Sequence, residues 1–182
     1  MRLSSEHIRF IAEKIARELS TSKLVTFVRG EGDIVSTASK YLAEEIKLER
    51  FVDAEVNHLM DEQEDNIDLY QADRRQLFWL IKRKVAEKAG LILNRDERCN
   101  AIAHRILDEL YEEDMINYSV SENIVKNLIS KAISDYSRRQ DELEDRIHEK
   151  LRHYKRNILR GTEEYEILFA KLYEEELAKL GV

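Results

Sequence analysis

The sequence aligns with itself at a shift of 91 residues, without a gap. Ile11-Ala12 falls on Ile102-Ala103, Ile15 on Ile106 and Glu18-Leu19 on Glu109-Leu110. Further along, Ser39-Lys40 meets Ser130-Lys131, Asn66-Ile67 meets Asn157-Ile158, Leu77-Phe78 meets Leu168-Phe169, and Gly90 meets Gly181. Similar pairs such as Phe27/Tyr118, Ile34/Val125, Val52/Leu143 and Met60/Leu151 extend the match. Amphipathic helices share apolar spacing without common ancestry, but an ungapped match over a whole half-chain points to a copied unit. The chain is therefore read as two homologous modules, residues 1–91 and 92–182. Any fold proposed for one must also suit the other.

Each module reads as three helices. The first runs from about Ser5 to Ser20 with apolar residues Ile8, Ile11, Ile15 and Leu19 at spacings of three and four; its copy shows Cys99, Ile102, Ile106 and Leu110. Ser4 or Ser5 and Asp96 are the expected N-caps, since a short side-chain oxygen accepts from the free amides of a first turn. A β-rich pentapeptide follows in each copy, residues 24–28 and 115–119, and the two could pair as a minimal two-stranded ribbon. The second helix is long: no breaker interrupts the chain from Asp33 to about Ile67, or from Glu122 to about Leu159. Some 35 residues at 1.5 Å each span roughly 50 Å, so an elongated molecule is expected. The third helix starts at Asp73, which forms a capping-box pattern with Gln76, and at Thr162 in the copy. Gly90 and Gly181 stand at equivalent stops.

Composition narrows the class. The 182 residues include no proline and five glycines, which excludes Pro-rich and Gly-rich linkers. With 43% hydrophobic residues the chain can build a core, so its 37% charged residues describe a solvated surface. One cysteine, Cys99, permits neither an internal disulfide nor a cysteine zinc site. No apolar run is long enough to span a membrane, and the amphipathic start lacks the apolar stretch of a signal peptide. The expectation is a cytoplasmic, all-α protein.

Residues at both ends carry a resemblance to a known family. Met1-Arg2-Leu3-Ser4, then Gly161-Thr162-Glu163-Glu164-Tyr165-Glu166-Ile167-Leu168, and finally Lys171-Leu172-Tyr173-Glu174-Glu175-Glu176-Leu177 with Gly181 resemble the start and the C-terminal signature of the bacterial family called domain of unknown function 507. Members of about half this length are similar to one copy of the repeat. The first module departs from the signature, with Arg74-Arg75-Gln76 and Ile81-Lys82-Arg83-Lys84 where acidic residues would stand. The resemblance implies no activity and no catalytic residues.

Charge sorts by module. Segment 53–68 carries Asp53, Glu55, Asp61, Glu62, Glu64, Asp65 and Asp68 without a lysine or arginine, and its copy carries Arg146, Lys150, Arg152, Lys155 and Arg156. The helices that follow have the opposite sign, basic from Arg74 to Lys88 and acidic from Glu163 to Glu176. Each module is thus expected to close as an antiparallel hairpin neutralised internally by many weak pairs.

Three readings of function compete. Phe78, Trp79, Ile81, Leu168, Phe169 and Leu172 are expected to meet where the third helices cross a pseudo-twofold axis, an interface that single-copy relatives would form as homodimers. Arg74, Arg75, Lys82 and Arg83, interleaved with Phe78 and Trp79, could neutralise phosphates and stack on unpaired bases, although a net charge of −7 opposes nucleic acid. Glu55 and His58 have the Glu-x-x-His spacing of carboxylate-bridged di-metal bundles. Asp145 and His148 nearly match it, but one residue out of register, so no metal centre is expected. His7, His104 and His153 read as exposed histidines on helical surfaces. Cys99 aligns with Ile8 and reads as a buried apolar residue. Gly30-Glu31-Gly32 is too short for a phosphate loop. The preferred reading is a non-enzymatic interaction or scaffolding protein with an unknown protein partner and no cofactor. Association with RNA or a ribonucleoprotein is the alternative, and a carboxylate/histidine metal bundle comes third.

Overall fold

A computed structural model describes residues 7–62, 73–153 and 162–179. Helix α1 (Ile8–Thr21), strand β1 (Val25–Phe27), helix α2 (Glu31–Glu62) and helix α3 (Arg74–Ala89) are followed by α4 (Arg95–Glu112), β2 (Ile116–Tyr118), α5 (Glu122–Arg152) and α6 (Glu163–Lys179). Among the described residues the protein is all-α apart from one two-stranded ribbon. The expected caps at Ser4 or Ser5, the pairs Asn66-Ile67 and Asn157-Ile158, acidic residues Glu64, Asp65 and Asp68, basic residues Lys155 and Arg156, and the stop at Gly181 lie outside the described residues.

The starts of α3 and α6 follow from local chemistry. The Asp73 carboxylate accepts from the amides of Arg75 and Gln76, at 2.9 and 3.2 Å. Thr162 accepts from the Tyr165 amide at 3.3 Å. At the end of α3, Gly90 takes the left-handed conformation (φ 76°), and the Leu91 amide reaches back to the Ala86 carbonyl at 2.8 Å. The cap of α4 departs from expectation. Asn94, not Asp96, accepts from the amides of Asp96 and Glu97. Asp96 lies inside the first turn, where its charge favours the positive helix end.

By contacts the chain divides into two compact units, Met1–Ser134 and Asp135–Val182. In the first unit, α1 packs along α2, and α2 also receives α3 and α4. Ile11, Ile15, Leu19, Ile34, Leu42, Ile102, Ile106, Leu110, Ile116 and Ile129 are fully buried there. The ribbon is antiparallel, pairing Val25 with Tyr118, Thr26 with Asn117 and Phe27 with Ile116. Each strand is entered through a left-handed residue, Lys23 (φ 59°) and Asp114 (φ 52°). Thr26 and Asn117 are related by the 91-residue shift, as are Val25 with Ile116 and Phe27 with Tyr118. The register is therefore self-complementary about its central pair, as in an isologous contact.

In the first unit the far end of α2 and helix α3 enclose Val52, Val56, Met60, Val85, Ala86 and Leu91, with Leu77, Phe78 and Ile81 packed against them. In the second unit, Leu143, Ile147, Leu151 and Tyr165 form a cluster lined by Leu168, Phe169, Leu172 and Tyr173. Among the described residues, ion pairs cross both hairpins in the expected sense, including Lys82 to Asp53 at 2.7 Å and Lys150 to Glu176 at 2.5 Å.

Candidate interaction surface

The run Leu77-Phe78-Trp79-Leu80-Ile81 is too apolar for one face of a helix, and α3 divides it. Successive residues turn by about 100°, so Leu77, Phe78 and Ile81 face α2 while Trp79 and Leu80 do not. Trp79 is 51% exposed and Leu80 50%. For the six residues expected at one central crossing, the structure gives the packing inside each unit. Phe78 and Ile81 belong to the cluster closed by α2, and Leu168, Phe169 and Leu172 to the cluster closed by α5. Trp79 belongs to neither. Within the first unit, a symmetric contact is made by the β1–β2 ribbon.

Asp73, Arg75, Gln76, Trp79, Leu80 and Arg83 line a shallow surface concavity of about 540 Å³. Arg75, Trp79 and Arg83 recur at every fourth position, so the indole lies between two guanidinium groups along one stripe. Phe78 holds the indole edge-on, with ring centroids 5.9 Å apart at 85°. Of the basic residues singled out from the sequence, Lys82 is committed elsewhere: its side chain is 19% exposed, it binds Asp53, and it lies 5.8 Å from the Phe78 ring centre. Arg75 and Arg83 face solvent. A tryptophan this exposed leaves on the order of 100 Å² of apolar surface wetted, so covering it would contribute about 2–3 kcal/mol.

A second polar constellation, in the first unit, is buried. Arg98 is 3% exposed and Glu45 6%. The Arg98 Nε donates to Glu45 at 2.6 Å, and its terminal nitrogens reach Glu49 at 3.2 Å. Burial opposes the Arg98 charge, but the hydrogen bond and charge of Glu49, with those of Glu45, outweigh it and raise the pKa. Nearby, Arg105 binds Glu44 at 2.5 Å and stacks on Tyr41, whose hydroxyl donates to Glu109 at 2.9 Å. Lys40 binds the same carboxylate at 3.0 Å, and these two hydrogen bonds, that of Lys40 first, hold Glu109 below the usual carboxylate range. Sequence reasoning missed this constellation because Arg98 and Glu45 are 53 residues apart and each reads alone as a surface charge. Its ion pairs link α4 to α2.

Among the described residues, Glu55 and His58 belong to no group of three potential metal ligands. Glu55 is half-buried, and His58 turns to Glu62 at 3.6 Å. His148, at the near-match on α5, accepts from or donates to the Tyr165 hydroxyl at 2.6 Å and stacks between aromatic rings. His7 is buried, contrary to its reading as an exposed residue. Cys99 is fully buried, and burial pushes its thiol pKa up, which disfavours the reactive thiolate. Among the described residues no helix is long and apolar enough to cross a membrane.

Comparison with known proteins gives one assignment. The family model described as "Protein of unknown function (DUF507)" matches residues 1–182. No curated protein matches the chain.

Proposed function

We propose that this chain, which belongs to the DUF507 family, is a non-enzymatic interaction protein that docks an acidic, amphipathic segment of another protein on the Arg75–Trp79–Arg83 stripe of α3. The observation that carries the reading is a half-exposed tryptophan and leucine flanked by solvent-facing arginines on a well-anchored helix. Tryptophan and arginine are the residue types that dominate binding energy when a partner covers them. A partner with apolar residues at helical spacing and carboxylates on both sides would cover Trp79 and Leu80 while pairing both guanidinium groups. The reading of no catalysis rests on the residue inventory: a buried cysteine and no glycine-rich phosphate loop. A cytoplasmic site of action belongs to the same proposal.

Trp79 is the sole tryptophan and reports directly on its own environment. Tagged wild-type protein recovered from its native cells should carry a partner whose addition shifts indole emission to the blue. Trp79→Ala and the double change Arg75→Glu/Arg83→Glu should weaken that partner by at least about 30-fold, a hot-spot effect of 2 kcal/mol or more. Equal recovery by wild type and both variants would reject the surface. The same stripe favours single-stranded RNA as the second reading, because an indole between two arginines can stack on a base. That reading expects salt-sensitive recovery of material absorbing at 260 nm.

We also read the chain as a tandem duplication with a pseudo-twofold relation. Supporting this, β1 and β2 begin at residues 25 and 116, and α2 and α5 at residues 31 and 122, both the same shift apart. The self-complementary ribbon is what a former homodimer contact would become after fusion. A 1–91 fragment should therefore self-associate, and a well-folded monomeric fragment would overturn the interpretation.

A further inference from the structure

The 91-residue shift relates two surface sites, both in the first unit, that differ in charge. On the first, Arg9, Glu13, Arg17 and Glu31 line a concavity between α1 and the start of α2, and Arg9 binds Glu13 at 2.7 Å. The equivalent positions between α4 and the start of α5 are Asn100, His104, Asp108 and Glu122. Only the carboxylate of Glu31 persists, as Glu122; His104 replaces Glu13, and Arg9 and Arg17 give way to Asn100 and Asp108, so two carboxylates face an imidazole with neither arginine present.

His104 Nδ1 lies 3.4 Å from Asp108 Oδ1 and 3.6 Å from Glu122 Oε1. One donor atom from each residue falls within 4.8 Å of the other two. Donors bound at about 2.0–2.2 Å to a tetrahedral ion are separated by about 3.4 Å, so these atoms need little movement to share a cation. Nearby cations are engaged elsewhere: Arg105 binds Glu44 and Lys126 donates to the Asn123 side chain.

We infer that His104, Asp108 and Glu122 form a binding site for a divalent first-row transition ion such as Zn²⁺. The ion supplies the positive charge that arginines supply at the first site, and it ties α4 to the start of α5. The ligand chemistry fits: one imidazole and two carboxylates on tetrahedral spacing suit zinc, and a fourth position stays open to water. Other histidine–carboxylate pairs at i,i+4, His58–Glu62 and His153–Glu149, gain no third ligand among the described residues. This inference is independent of the α3 surface, which lies on other residues.

The test is titration of the full chain with Zn²⁺ by calorimetry, and with Co²⁺ by visible absorption. Wild type should take up one equivalent, with the His104 ring resonances shifting by NMR. Asp108→Arg installs the residue that α1 carries at position 17, so the fold should be kept, as unchanged circular dichroism would verify. This variant and His104→Ala should each bind at least tenfold more weakly, since even outer-shell partners are worth 10–100-fold. His58→Ala and His153→Ala should leave uptake as in wild type. Equal affinity in the Asp108→Arg and His104→Ala proteins would overturn the site. So would an absence of saturable uptake by wild type at about 0.5 mM Zn²⁺.

Discussion

Along α2 the carboxylates Glu45, Glu49 and Asp53 take cationic partners, whereas α5 adds neutral hydrogen bonds to its Lys150–Glu176 pair. Glu45 and Glu49 of α2 receive Arg98, and Asp53 receives Lys82. The positions 91 residues from Glu45, Glu49 and Arg98 hold Tyr136, Gln140 and His7. On α5, Gln140 donates to the Tyr173 hydroxyl and His148 is hydrogen-bonded to the Tyr165 hydroxyl, while Tyr165, Phe169 and Tyr173 stack in sequence. The hairpin interiors differ in the same way, being largely aliphatic around Val56 and aromatic around Tyr165. One backbone plan thus accepts two solutions to burying polar groups. Ions demand a complete set of partners, and neutral hydrogen bonds tolerate the loss of one.

The sharpest way to break this comparison is Arg98→Ala. It leaves Glu45 buried without its guanidinium and should cost about 3–5 kcal/mol, read as a lowered urea midpoint. The paired change Arg98→Met/Glu45→Leu should recover most of that loss; failure to recover would mean that Glu49 alone demands the charge. Next in size is Ile147→Ala, which empties a fully buried position in the aromatic hairpin and should cost about 2–5 kcal/mol. Val56→Ala, deleting two methyl groups from the aliphatic hairpin, should cost about 2 kcal/mol by the same measurement. Smaller again is Tyr165→Phe, which keeps the stack on Phe169 and removes the bond to His148, for about 1 kcal/mol.

The smallest effect is confined to alkaline solution. Burial, with Tyr173 nearby, pushes the Tyr136 phenol up to about 12. Its folded-state pKa exceeds the unfolded value of about 10, so its contribution to stability is complete below pH 10 and is lost as pH rises toward 12. Urea midpoints at pH 9 and 11.5 should diverge more for wild type than for Tyr136→Phe.

Local chemistry made much of the architecture readable. The three- and four-residue spacing of Ile11, Ile15 and Leu19, the cap at Asp73 and the stop at Gly90 all act within a turn or two of chain. The ribbon was readable because two β-rich pentapeptides occupy equivalent positions. What stayed hidden depended on partners far along the sequence. Arg98 looks solvated until Glu45 is beside it, and His104 looks isolated until the ribbon turn brings Glu122 back. The exposure of Trp79 was hidden for a different reason. A continuous apolar run says that a helix has more than one apolar face, but not which faces find a neighbour.

The ribbon also imposes a schedule on synthesis. The partner of Val25 is Tyr118, so β1 emerges from a ribosome long before the strand that completes it. At 5–20 residues per second the interval is roughly 5–20 s, during which the nascent chain presents a bare strand edge. The three-residue length of β1 keeps that edge short while the chain waits.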